Sequence, residues 1–156
     1  MTSCNTQNWL QAAQAIKTTD TFPKIAIRTC KIDNVNIDIV GIAKGSGMIA
    51  PDMATMLGFI FTNANLPSNI LQKVLKEANE TSFNSITVDS DTSTSDTVLL
   101  AATRKAKHNL ISKHTDRRLR EFRNTLSSLM LELAKLIVKD GEGASKFVTI
   151  NVTGAC

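Results

Sequence analysis

The chain has 156 residues, of which 42% are hydrophobic and 21% charged, as in a single globular domain with its own core. No run approaches the roughly 18 apolar residues of a membrane-spanning helix, and no signal sequence is recognisable, so we expect a cytoplasmic protein. The net charge of +4 is mildly basic, but no nucleic-acid-binding motif accompanies it. Cys4, Cys30 and Cys156 have neither disulfide nor metal-site spacing, which favours a reducing compartment and no bound metal.

The first half of the chain predicts one helix followed by strands. Residues 5–17 are rich in alanine, and their apolar side chains recur at helical spacing. Residues 24–30 and 35–41 alternate between apolar and polar on either side of a short polar link, which predicts a β-hairpin. Residues 56–62 are apolar on both faces, which predicts a central strand covered on both sides.

The second half predicts a mixture of helices and strands. Its expected elements are a helix with Ser68 as N-cap, a short strand at 83–88, a helix through 98–102 capped by Ser95 or Asp96, a long amphipathic helix from Asp116 that ends at 139–141, and a strand at 147–152. This order of elements predicts the α+β class.

One loop of unusual composition joins the hairpin to the next strand. Residues 43–57 read Ala-Lys-Gly-Ser-Gly-Met-Ile-Ala-Pro-Asp-Met-Ala-Thr-Met-Leu, and Thr55 follows the small residue Ala54. A threonine placed in this way can attack the carbonyl of Ala54 and become a new N-terminus. Its freed α-amine, with a pKa of about 8, can then serve as the base for its own hydroxyl. An ordinary glycine-rich turn is the alternative that the residues alone leave open.

Four segments resemble, in the same order, the ornithine acetyltransferase (glutamate N-acetyltransferase) family of arginine biosynthesis. They are residues 18–24 (Thr-Thr-Asp-Thr-Phe-Pro-Lys), 43–57, 86–100 (Ile-Thr-Val-Asp-Ser-Asp-Thr-Ser-Thr-Ser-Asp-Thr-Val-Leu-Leu) and 139–146 (Lys-Asp-Gly-Glu-Gly-Ala-Ser-Lys). The resemblance implies self-cleavage between Ala54 and Thr55. It also implies a sandwich of two sheets with outer helix layers.

The resemblance further implies an acetyl transfer through Thr55. N-acetylornithine would acetylate Thr55, and glutamate would then take the acetyl group, with no cofactor or metal. Thr18, Lys44, Thr55 and Glu142 would bind substrate. Some members of the family also take acetyl from acetyl-coenzyme A, and the sequence leaves that open. Without the resemblance, the residues around Thr18 also fit an ordinary turn, and Glu142 also fits a solvated carboxylate in a turn.

The chain matches only part of the family pattern. Family members are more than twice as long, and an upstream segment whose Thr and Gly form the oxyanion hole has no match here. A downstream region with a substrate-binding Asn and Thr is also unmatched. We therefore expect residues 1–156 to form a single partial domain, completed by these segments or by a separate chain in a homo- or hetero-oligomer. The alternative is an inactive remnant, or one piece of a split enzyme that acts only as an interaction module.

Overall fold

The helices and strands confirm the α+β class. The computed structural model describes residues 6–45, 55–88, 90 and 93–154. Its elements in chain order are α1 (Thr6–Ile16), β1 (Lys24–Ile32), β2 (Val35–Lys44), β3 (Leu57–Thr62), α2 (Ser68–Glu80), β4 (Thr97–Ala102) and α3 (Leu119–Lys139). A single 3-10 turn, Phe83–Ser85, lies between α2 and β4. Among these residues, no helix is both long and apolar enough to cross a membrane.

The described strands form one four-stranded sheet in the order β1-β2-β3-β4. The first three strands pair antiparallel, whereas β4 runs parallel to β3. The hairpin between β1 and β2 is confirmed. Asp33 and Asn34 form its tight turn with φ of +50° and +60°, a conformation that Asp and Asn tolerate better than most residues. The parallel β3–β4 pair needs a crossover connection, and α2 lies within it.

The core lies between the sheet and α3. The apolar stripe that the sequence predicts on this helix is buried except for Leu136, which is half-buried. The buried members are Leu119, Phe122, Leu126, Leu129, Met130, Leu133 and Ile137. A Cβ on Gly41 would lie only 2.6 Å from Cδ1 of Leu133, so glycine allows the helix to approach β2 closely. On β3, Ile60 faces Gly41, and the next residue, Phe61, points to the opposite face. There Phe61 packs against Trp9 of α1, with ring centroids 5.1 Å apart and the ring planes tilted by 37°.

The predicted helix through 98–102 is wrong, because residues 97–102 form strand β4. Each residue from Thr97 to Ala102 pairs with one from Leu57 to Thr62. Six residues are too few for a helix that is stable by itself, and the edge of β3 offers every one of them a backbone partner. Asp96 consequently caps no helix, and its carboxylate instead accepts a hydrogen bond from the backbone N–H of Met56.

Three smaller predictions also differ from the structure. Residues 83–88 form a 3-10 turn and an irregular segment instead of a strand, and the turn buries Phe83. Ser68 is the first residue of α2, Pro67 occupies the N-cap position, and no side chain caps the helix. Residues 147–152 are not a strand, since no described strand pairs with them. Val148, Ile150 and Val152 are therefore 69%, 82% and 76% exposed.

Candidate active site

Three charged side chains form a buried cluster at the end of the sheet where β1 begins. The Lys24 Nζ atom lies 2.6 Å from Asp20 Oδ2 and 2.6 Å from Asp140 Oδ2. The side chains of Lys24, Asp20 and Asp140 are only 0%, 1% and 3% exposed. The ammonium also lies 4.6 Å from the centre of the Phe22 ring, at cation–π distance. One cation thus joins the segment before β1 to the end of α3.

The two carboxylates of this cluster also hold backbone groups. The Gly45 N–H donates to the Asp20 carboxylate, with both oxygens 3.1 Å from the nitrogen. Asp140 accepts the Thr21 N–H at 3.0 Å and the Thr21 hydroxyl. Burial by itself would raise the pKa of Asp140, but the hydrogen bonds from Lys24 and Thr21 hold that pKa below its usual range. Asp140 therefore stays ionised at neutral pH, and the hydrogen bonds of the cluster connect the segments around Thr21, Gly45 and Asp140.

Lys44 lies at the end of β2, next to this cluster, and Thr55 lies two residues before the neighbouring strand β3. Lys44 ends β2 and pairs with Leu57, two residues after Thr55. Gly45 has a φ of +122°, and a Cβ there would lie 2.9 Å from the Met56 Cα atom. The backbone that follows Thr55 consequently packs directly against Gly45, whose N–H is held by Asp20.

The structure brings the four predicted site residues onto converging segments. Thr18 is exposed and lies two residues before Asp20, and Glu142 is exposed two residues after Asp140. Thr55 is half-buried. Lys44 is only 8% exposed, and the described residues give its ammonium no ion-pair partner. Ala54, the other half of the predicted cleavage site, lies outside the described residues, as do residues 46–53 of the same loop.

Sequence reasoning missed the residues that connect these segments. Asp20, Lys24 and Asp140 lie within the segments that carry the resemblance, but Lys24 and Asp140 are 116 residues apart in the chain. The spacing of Asp20 and Lys24 signals a pair only in a helix, and this segment is not helical. The cluster can therefore be recognised only from the tertiary structure.

Other kinds of reactive site are not evident among the described residues. That part of the chain contains no group of three or more His, Cys, Asp or Glu side chains arranged to hold a metal ion. Cys30 is buried on the core face of β1, and burial raises the pKa of its thiol to about 11. Since the thiolate is the nucleophilic form, Cys30 is unsuited to act as a nucleophile.

Sequence comparisons agree with the motifs. The model of the ArgJ family matches residues 1–156. The arginine biosynthesis bifunctional protein ArgJ of Gluconobacter oxydans (strain 621H) is 56% identical over 147 residues, covering 94% of this chain and 35% of that protein. The protein of the same name from Zymomonas mobilis is 51% identical over 148 residues, covering 95% of this chain and 36% of that protein. The chain thus spans about a third of the length of these curated relatives.

Comparison with solved structures leads to the same family. The crystal structure of the arginine biosynthesis bifunctional protein argJ from Bacillus halodurans is 37% identical with a TM-score of 0.50, covering 54% of this chain and 39% of that one. A protein from Pyrococcus horikoshii OT3 shares the fold at 12% identity and a TM-score of 0.50, covering 76% of this chain and 40% of that one. From its motifs, its fold and these matches, the chain belongs to the ArgJ family.

Proposed function

We propose that this chain carries the nucleophile and part of the substrate site of an acetyltransferase in arginine biosynthesis. Self-cleavage between Ala54 and Thr55 frees the α-amine of Thr55. The enzyme then moves an acetyl group from N-acetylornithine to glutamate through an acetyl ester on Thr55. Acetyl-coenzyme A is a further candidate donor for the acetylation of glutamate. The proposal assigns substrate binding to Thr18, Lys44 and Glu142.

The proposed transfer has two balanced steps. The Thr55 hydroxyl oxygen attacks the acetyl carbonyl of N-acetylornithine, and the Thr55 amine takes the hydroxyl proton. The C–N bond breaks, the proton passes to the departing nitrogen, and ornithine leaves an acetyl ester behind. The amine of glutamate then attacks that ester, and the Thr55 oxygen recovers a proton as N-acetylglutamate departs. A threonine and its own amine thus supply both nucleophile and base.

The observation that carries the proposal is the convergence of four distant segments on the buried cluster. Asp20 binds the Gly45 N–H next to Lys44, and Lys24 joins Asp20 to Asp140 near Glu142. The pairing of Lys44 with Leu57 adds the segment that contains Thr55. Catalytic residues commonly lie on adjacent loops that the fold brings together from distant parts of the chain.

The environment of Lys44 supports its assignment to substrate binding. Lys44 as a whole residue is only 8% exposed, and no described carboxylate lies within ion-pair distance of its ammonium, which is therefore available to an anion. Both substrates carry an α-carboxylate, which is a suitable partner for this cation. Glu142 is exposed and therefore free to meet the unacetylated ammonium group of N-acetylornithine. The charges of Lys44 and Glu142 are thus opposite to those of the carboxylate and the ammonium of this substrate.

Processing at Thr55 tests the proposal directly. Denaturing mass spectrometry of the purified 156-residue chain should reveal pieces of 54 and 102 residues, since 156 − 54 = 102. Thr55→Ala should remain whole because it lacks the hydroxyl that attacks Ala54. Thr55→Ser keeps a hydroxyl and should still be cleaved.

The matched control is Thr103→Ala, which removes an exposed threonine hydroxyl just after β4 and should be cleaved like the unaltered chain. An unaltered chain that stays whole after long incubation would contradict self-cleavage. Cleavage of Thr55→Ala at the same bond would assign it to a contaminating protease.

A second candidate function is that of a non-catalytic interaction module. The exposed apolar side chains of Val148, Ile150 and Val152 favour it, because such a stretch is typical of a surface that a partner covers. The two candidates differ in what happens when the remainder of a relative is supplied. An inactive module would associate with the added regions without producing any acetyl transfer.

We expect no measurable acetyl transfer from N-acetylornithine to glutamate by the 156-residue chain on its own. The resemblance places the oxyanion donors in a segment that this sequence does not match, and loss of one donor typically slows acyl transfer about 100- to 1000-fold. Coexpression with the regions of the Gluconobacter oxydans relative that this chain does not span should restore turnover, measured as N-acetylglutamate formed. Turnover by the chain alone would contradict this expectation. Stable association without turnover would favour the interaction module.

A further inference from the structure

The backbone immediately after Thr55 is held on both sides by the start of β4. The Met56 N–H donates to Asp96 Oδ1 at 2.9 Å, and the Met56 carbonyl accepts the Thr97 N–H at 3.0 Å. Thr97 is the first residue of β4 and pairs with Leu57, the first residue of β3. The Asp96 side chain thus extends the parallel pairing by one residue, to the position that follows Thr55.

Without Asp96, the Met56 amide would lose the side-chain acceptor that holds it just before β3, and water would have to replace it. The carboxylate reaches it across 40 residues of sequence, and Asp96 itself is exposed. None of the ion pairs among the described residues involves Asp96. Its defined contact in the structure is therefore the bond to Met56, and that bond serves a position beside the proposed nucleophile.

We propose that Asp96 is a positioning residue for the Thr55 nucleophile, an inference that rests on the proposed function. By holding the Met56 N–H, it fixes the peptide plane between Thr55 and Met56. That plane constrains the direction in which the Thr55 side chain and amine leave the backbone. Gly45 restrains the same stretch of backbone from the β2 side, because the Met56 Cα atom packs against it.

Orientation of this kind has a large effect on rate. Nucleophilic attack needs reacting atoms about 3 to 3.5 Å apart with aligned orbitals, and a misplacement of about 1 Å can slow a reaction about 100-fold. Thr55 must meet such a requirement both when it attacks Ala54 and when it accepts an acetyl group. A side chain that never touches substrate can therefore control both steps through the Met56 amide.

The test compares Asp96→Ala with Asp96→Asn in the full chain. Cleavage at Ala54–Thr55, followed by mass spectrometry, should be about 10- to 100-fold slower in Asp96→Ala. Asp96→Asn keeps an acceptor oxygen, so its cleavage rate should stay within about threefold of the unaltered chain. The midpoint of thermal unfolding should fall by no more than about 4 °C in either variant, which excludes unfolding as the cause.

The matched control is Asp38→Ala. Asp38 is another exposed aspartate on the sheet, and it accepts a hydrogen bond from the Thr29 hydroxyl, away from Thr55. Its removal should leave the cleavage rate unchanged. Cleavage of Asp96→Ala at the unaltered rate would overturn the inference. Asp96→Asn as slow as Asp96→Ala would also overturn it, because an acceptor oxygen would then not suffice.

A second measurement separates this inference from the proposed function. If the unaltered chain is not cleaved at all, self-cleavage fails, but the orientation of Thr55 can still be read from NMR couplings to its labelled methyl carbon. A single Thr55 rotamer is expected in the unaltered chain and in Asp96→Asn, and averaging over several rotamers is expected in Asp96→Ala. The same single rotamer in Asp96→Ala would overturn the positioning role whether or not the chain is cleaved.

Discussion

Replacing Lys24 by methionine should lower the free energy of unfolding by about 3 to 5 kcal/mol, because it leaves two buried carboxylates without their cation. The ammonium lies 2.6 Å from both Asp20 and Asp140, and the lysine side chain is completely buried. Methionine fills a similar volume, so lost packing contributes little. Urea denaturation at pH 7, followed by circular dichroism, measures the change.

The matched control is Arg28→Met. Arg28 pairs with Glu132, but both side chains are about 40% exposed, so the loss should stay within about 1 kcal/mol. The triple variant Asp20→Asn, Lys24→Met, Asp140→Asn removes all three charges and should recover much of the lost stability. Equal losses for Lys24→Met and Arg28→Met would show that the buried pair matters no more than a surface one.

Lowering the pH should reduce the difference in the free energy of unfolding between Lys24→Met and the unaltered chain. In the unaltered chain the pKa of Asp140 is held below its usual range, so its contribution is present above about pH 4 and is lost as the pH falls further. In Lys24→Met the burial remains and the lysine bond is gone, which should raise the pKa of Asp140. Its protonation then relieves the unpaired charge, and the loss measured at about pH 5 should be smaller than at pH 7.

Replacing Gly45 by alanine should cost about 2 to 4 kcal/mol and should also impair processing at Thr55. A φ of +122° is nearly restricted to glycine, and such strain costs about 1 to 3 kcal/mol. The added Cβ would also lie 2.9 Å from the Met56 Cα atom, which is backbone and cannot rotate away. Urea denaturation measures the first effect, and mass spectrometry of cleavage at Ala54–Thr55 measures the second.

Gly143→Ala is the control that separates the strain of a positive φ from the close approach of a Cβ to Met56. Gly143 also has a positive φ, +69°, but a Cβ there would meet nothing within 4 Å. Alanine in this left-handed conformation should cost only about 1 to 2 kcal/mol, and cleavage should proceed normally. If Gly45→Ala were no more harmful than Gly143→Ala, the close approach to Met56 would have no energetic importance.

The candidate site was only partly accessible from the sequence. Thr18, Lys44, Thr55 and Glu142 come from a resemblance of short motifs, and their roles stay predictions. Their neighbours Asp20 and Asp140 could not be paired with Lys24 from the sequence, because nothing local distinguishes a carboxylate that meets a buried lysine from one that meets water. The sequence predicts Ser95 or Asp96 as a helix cap, whereas the bond from the Met56 N–H to Asp96 exists only because β4 lies beside β3.

The sequence by itself determined the features whose causes are local. The polar link at residues 31–34 between alternating runs predicted the hairpin, although its turn is only Asp33-Asn34 because β1 extends to Ile32. The apolar stripe from Leu119 to Ile137 specified α3. Tertiary structure decided the features that depend on a partner. Residues 97–102 are a strand because the edge of β3 is available, whereas the alternating residues 147–152 find no strand in the described part of the chain. A turn or an amphipathic helix follows from nearby residues, but a strand or a buried ion cluster needs groups that only the fold brings together.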